Sequence, residues 1–253
     1  MTNATEINWH STRLDRVMNI RVYGNPTAAP ILVFPTQDAM SDNFENFGMI
    51  EAMADDLRRG RIQLFCVDTV DTETWSNIWG DKVWRAQRQE QYYGYIIDEV
   101  VPRIYRENTS GRLPIAAGCS LGGLHAAIVF FRRPDLFDGV LALSGVYDAK
   151  FFTDGWINDV LYDNSPLDFL ANMPGDHPYI DLYNRRRIVL CVGQGRWEEE
   201  GRRTTALMGD VLYSKDIHAW VDFWGYDVDH DWDWWKKQFT YFLPFVLREQ
   251  TEQ

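Results

Sequence analysis

Short, strongly apolar runs alternate along the chain with longer stretches in which apolar residues recur every three or four positions. The runs at 31–34, 62–67, 115–117, 139–143, 188–192 and 220–224 read as strands. They are apolar almost throughout, and strands of a parallel sheet covered on both faces need that pattern where a half-exposed sheet would alternate. Between them, residues 49–58, 85–105, 121–131, 202–214 and 232–247 carry helical spacing. The repetition of strand, helix and strand predicts an α/β domain, with a mostly parallel central sheet and helices on both faces. Residues 7–23 alternate apolar and polar side chains, which predicts an antiparallel hairpin at one sheet edge.

One segment breaks this rhythm. Residues 149–187 hold three prolines (Pro166, Pro174 and Pro178), several aromatics and only short helix-like pieces such as 167–172. So long a loop-rich insert in a compact domain is uncommon and is usually functional, so 149–187 is expected to cap the site. The plainer alternative is a solvent-exposed excursion with no part in the chemistry. No internal repeat or low-complexity linker divides the 253 residues, and a single domain with this insert is expected.

Composition narrows the partners. The formal net charge of −12 disfavours nucleic acid and anionic membrane surfaces, both of which select clustered Lys and Arg. No apolar run approaches the 18 or so residues of a membrane span. Residues 1–8 are polar and lack the pattern of a signal peptide, so a cytoplasmic protein is expected. Cys66, Cys119 and Cys191 are widely spaced, and Cys66 and Cys191 sit inside apolar runs. They read as free thiols of a reducing compartment, neither a disulfide framework nor a zinc site.

The chemistry enters at Gly118-Cys119-Ser120-Leu121-Gly122, which matches G-x-S-x-G. The motif follows an apolar strand and opens a helix, the setting in which a serine is held on a tight, strained turn with its hydroxyl exposed. The free N–H groups at the helix start then face the negative charge that develops when Ser120 attacks a carbonyl. A serine needs a base, and the base is expected late in the chain. His10 falls in the edge hairpin, His125 lies on the helix of the motif too near Ser120 in sequence to face it, His177 belongs to the insert, and His218 leads into a strand. His230 remains, in a polar turn between the last strand and the last helix.

The third member should follow the preceding strand, because the chain order of such sites is Ser, then Asp or Glu, then His. Glu198 is the first carboxylate beyond 188–192, although Glu199 and Glu200 adjoin it and any of the three could instead favour a helix N-terminus. An oxyanion hole needs two N–H donors. Leu121 supplies one, and the turn after 31–34 supplies the other, from Thr36 or Gln37, since Pro35 has no N–H. No phosphate loop, dinucleotide fingerprint or metal-ligand spacing competes with this set, so no cofactor or metal is expected.

Over about residues 31–245 the chain resembles the Putative esterase family of α/β-hydrolases, which takes in esterase D, feruloyl esterases and mycolyltransferases. The resemblance rests on Gly118-Cys119-Ser120-Leu121-Gly122-Gly123, Leu143-Ser144-Gly145-Val146-Tyr147-Asp148, the stretch from Val192 to Glu198, and His230-Asp231-Trp232-Asp233-Trp234-Trp235. It implies the α/β-hydrolase fold, supports His230 and Glu198 as base and acid, and by position makes Gln37 the second oxyanion donor. Phe34-Pro35-Thr36-Gln37 departs from the His-Gly that many members carry after this strand. The expected activity is hydrolysis of a small-molecule carboxylic ester through an acyl-enzyme. Acyl transfer on the same residues and a non-catalytic binding role are the alternatives. The substrate's acyl and alcohol parts are not legible in these residues, and a homo-oligomer is left open.

Overall fold

The computed structural model describes residues 4–248. Their eight strands form one sheet: β1 (Thr5–Ser11), β2 (Arg16–Gly24), β3 (Ala29–Phe34), β4 (Ile62–Val67), β5 (Ile115–Cys119), β6 (Gly139–Leu143), β7 (Arg187–Val192) and β8 (Trp220–Phe223), in the spatial order β1-β2-β4-β3-β5-β6-β7-β8. β1 pairs antiparallel with β2 and β2 antiparallel with β4, which makes the expected edge hairpin. Every other pairing is parallel. The strand order reverses around β3 and β5, and in open sheets of this kind the crevice at such a switch point is where ligands bind.

Alternate residues of each central strand feed opposite faces, as the pleat requires. Leu32, Phe34, Ala116, Val140 and Leu190 join one apolar layer, with the helices Lys82–Tyr95 and Leu121–Arg132 upon it. Ile31, Val33, Ala117, Leu141 and Cys191 join the other, covered by the helix Trp232–Val246. Cys66, Cys119 and Cys191 are buried free thiols.

Two helices differ from their sequence patterns. Residues 49–58 form two single-turn pieces, Met49–Ala52 and Ala54–Arg58, broken at Met53. The run at 85–105 starts earlier, at Lys82, where the Asp81 side chain accepts the Trp84 N–H, and it widens into a π-turn over Ile96–Val100 before continuing as Val101–Glu107. Pro102 explains the widening: it has no N–H for the Asp98 carbonyl, and its ring crowds that oxygen in an α-helix.

The segment 149–187 divides in two. Ala149–Thr153 forms a 3-10 turn that brings Phe151 and Phe152 to a cleft at the carboxyl ends of the strands. Pro166–Asn172 and Tyr179–Tyr183 pack on the sheet layer instead, burying Leu170 and Tyr183 completely. Arg85 ties the first part down, donating to the carbonyls of Thr74, Trp75 and Phe152.

Candidate active site

Ser120 stands between β5 and the helix Leu121–Arg132 with φ 57 and ψ −127, a left-handed backbone that serine adopts only under constraint. The constraint is the crossing of strand and helix. A Cβ on Gly118 would lie 2.3 Å from the Gly122 carbonyl oxygen, and one on Gly122 would lie 2.4 Å from that of Phe34, so neither position admits a side chain. The Ser120 N–H is taken by the Leu143 carbonyl at 2.8 Å, which holds the turn against β6.

The three residues picked out for the reaction meet. Ser120 Oγ lies 2.8 Å from His230 Nε2, and His230 Nδ1 lies 3.1 Å from Glu198 Oε2. Glu198 is 1% exposed, whereas Glu199 points to solvent and Glu200 pairs with Arg203 at 2.5 Å. Position in space thus separates three glutamates that stand side by side in the chain. His125, on the helix itself, is buried with its Nε2 2.9 Å from Asp71 Oδ1 and its ring stacked on Phe34. Cys119 adjoins the serine, but burial, reinforced by the Glu198 charge, pushes its thiol well above its ordinary value, which leaves it no nucleophile.

A cleft of about 170 Å³ opens over Ser120 and is lined by Gln37, Leu121, Val146, Phe151, Phe152 and Trp197. Leu121 is the first residue of its helix, so its N–H lacks an intrahelical acceptor. In the turn after β3, the Thr36 N–H is used by Asn43 Oδ1 at 2.9 Å, while the Gln37 amide side chain donates to Ser76 Oγ at 2.9 Å. The Gln37 main-chain N–H has no acceptor among the described residues. Trp197 is 79% exposed at the mouth with φ 67, between Arg196, clamped onto Asp229, and the buried Glu198. A larger hollow of about 500 Å³ beside Tyr93 and Arg133 holds no serine or cysteine near a histidine.

Three residues of the site have no role in the sequence reading. Asn43 occupies the Thr36 N–H, one of the two candidate donors in the turn after β3. Ser144 Oγ donates to Glu198 Oε1 at 2.6 Å, and Trp235 Nε1 donates to Ser144 Oγ at 3.0 Å. The sequence signal for the last two was their place in the matched stretches Leu143–Asp148 and His230–Trp235, which carried a resemblance without a function.

A mostly parallel sheet with a reversed strand order, and a serine on the tight turn after its central strand, mark the α/β-hydrolase fold. The chain belongs to the Putative esterase family, whose model matches residues 11–246, and it is an enzyme of the carboxylesterase type. No curated protein matches it by sequence. Among solved structures it is similar to a ferulic acid esterase at 15% identity, with 98% of each chain covered and a TM-score of 0.76. It is also similar to an S-formylglutathione hydrolase from Agrobacterium tumefaciens, at 14% identity over 99% of this chain and 97% of that one, TM-score 0.76. A fluorophosphonate-binding serine hydrolase of Staphylococcus aureus aligns at 14% identity over 97% and 98% of the two chains, TM-score 0.71. Among the described residues no helix is long and apolar enough to cross a membrane.

Proposed function

We propose that the chain hydrolyses small carboxylic esters through an acyl-enzyme on Ser120. The observation that carries this reading is the position of His230, within hydrogen-bond reach of Ser120 on one ring nitrogen and of Glu198 on the other. Ser120 Oγ attacks the ester carbonyl as His230 Nε2 takes its proton, and the Glu198 carboxylate stabilises the imidazolium that forms. The main-chain N–H groups of Leu121 and Gln37 receive the oxyanion. His230 then gives the proton to the departing alcohol, and a water activated by the same nitrogen releases the acid. No step calls for a metal or an organic cofactor.

The cleft is narrow and is walled by Leu121, Val146, Phe151 and Phe152, which suits a short or flat acyl group better than a long chain. The buried, unpaired thiols fit a reducing compartment, in keeping with a cytoplasmic enzyme. The test is an active-site-directed fluorophosphonate. It should label Ser120 alone, and Ser120→Ala should lose both labelling and turnover of chromogenic esters; full turnover by that variant would end the serine-hydrolase reading. Adding acceptor alcohols to the same assay separates hydrolysis from acyl transfer, because a transferase would form the new ester and hydrolysis alone would not.

A further inference from the structure

Ser144 follows β6 directly with φ 53, buried, in a conformation that costs a serine strain, and it holds two polar partners in a line. An indole N–H can only donate, so Ser144 Oγ must accept from Trp235 at 3.0 Å. That leaves its single proton for Glu198 Oε1, 2.6 Å away. The Gly193 N–H approaches the same oxygen at 3.4 Å. Donors thus occupy Oε1, which leaves Oε2 to accept from His230 Nδ1–H. His230 Nε2 is then unprotonated and faces the Ser120 hydroxyl as an acceptor. Trp235 also meets the His230 ring edge-on, with centroids 4.8 Å apart.

We propose that Ser144 and Trp235 are positioning residues: the Trp235 indole fixes the direction of the Ser144 hydroxyl, and Ser144 holds the Glu198 carboxylate turned so that His230 presents its basic nitrogen to Ser120. The proposal rests on the serine-hydrolase reading. Both side chains are buried, with Ser144 at the floor of the cleft and its hydroxyl turned to Glu198, so removing this chain of donors should lower kcat with little effect on KM. The relay also makes the Trp235 N–H act only through Ser144, a dependence that a packing role would not produce.

The experiment uses Ser144→Gly, Trp235→Phe, the double variant, and Glu198→Gln as reference, on a short-chain nitrophenyl ester. Glycine accepts φ 53 without strain, and phenylalanine keeps the ring edge against His230 while losing the N–H. Ser144→Gly should lower kcat by roughly 10- to 100-fold, the loss of one hydrogen bond to a charged group, with KM unchanged. Trp235→Phe should lower kcat by about 3- to 10-fold, and the double variant should be no slower than Ser144→Gly. The low-field proton resonance of His230 Nδ1–H should move in Ser144→Gly, which a merely structural role would not require.

Normal kcat in Ser144→Gly beside a crippled Glu198→Gln would overturn the relay and leave the triad standing. Additive losses in the double variant would overturn it too. Full activity in Glu198→Gln would instead remove the acid on which both readings depend.

Discussion

Gly122 passes beneath Phe34 so closely that a Cβ on the glycine would lie 2.4 Å from the Phe34 carbonyl oxygen and 2.5 Å from that of Pro35. The helix that opens with Leu121, one proposed oxyanion donor, is thereby seated on the strand whose following turn carries Gln37, the other. Gly122→Ala has only backbone to push against, so it is expected to cost more than about 3 kcal/mol, or to displace the helix and with it the activity. Chemical denaturation and fluorophosphonate labelling would check both effects. An alanine variant of normal stability and normal labelling rate would show that the two segments are free to part.

The acid is the next expectation. Glu198→Gln should keep the fold and lower kcat by several orders of magnitude, on the order of 10⁴ by comparison with other serine triads. Glu199→Gln changes an exposed side chain, and Glu200→Gln changes one engaged with Arg203, so each should retain most of the activity. Steady-state kinetics on the three variants decides, and a crippled Glu199→Gln would displace the assignment by one residue.

For the oxyanion turn, Asn43→Ala should release the Thr36 N–H and loosen the Gln37 donor, lowering kcat by about 10-fold with little effect on KM. Gln37→Ala keeps the main-chain N–H and loses only the bond to Ser76, so it should cost less. If Gln37→Ala proves the worse of the two, the side-chain amide and not the main chain meets the substrate.

Trp197 supplies a test of specificity. Trp197→Gly relieves a strain of about 1 kcal/mol but adds freedom to the unfolded chain of similar size, so stability should change by less than about 1 kcal/mol. The loss of an exposed indole at the cleft mouth should raise KM, most for esters with bulky alcohols. Unchanged KM across alcohols of graded size would leave the tryptophan without a part in binding.

Within 149–187, Phe151 and Phe152 reach the cleft while Tyr179 and Phe169 pack on the sheet layer. Phe152→Ala should therefore change the ranking of acyl chain lengths. Phe169→Ala and Tyr179→Ala should lower Tm, by an amount corresponding to about 2 kcal/mol each for half-buried rings, and leave that ranking intact. A chain-length screen with parallel melting curves would separate the two groups.

Sequence and structure agree best where the determinants are local. The strand, the Gly118–Gly122 turn and the helix after it are written in consecutive residues, because the steric demand of the crossing falls on the motif itself. His230 was reached by elimination and chain order, and the sheet order brings it to Ser120. The parts that stayed hidden depend on partners far away in the chain. Nothing in Pro35-Thr36-Gln37 announces that Asn43 will take one of the two N–H groups, and nothing in Leu143-Ser144-Gly145 announces an indole from residue 235. The insert was legible as an interruption, but a half-apolar stretch does not say which of its aromatics will find the core.

The loops that carry Glu198 and His230 are laced to each other apart from the contact between the two side chains. Gly195 N–H meets the Val228 carbonyl, His230 N–H meets the Arg196 carbonyl, and Arg196 grips Asp229 through its main chain and its guanidinium. Ser120 belongs to another body, anchored to β5 and β6. Main-chain bonds thus place Glu198 and His230 relative to each other, and Ser144, one residue past β6, ties Glu198 to the strand against which Ser120 is held. A substitution at Arg196 or Asp229 is thus expected to disturb Glu198 and His230 together, where one beside Ser120 reaches the serine alone.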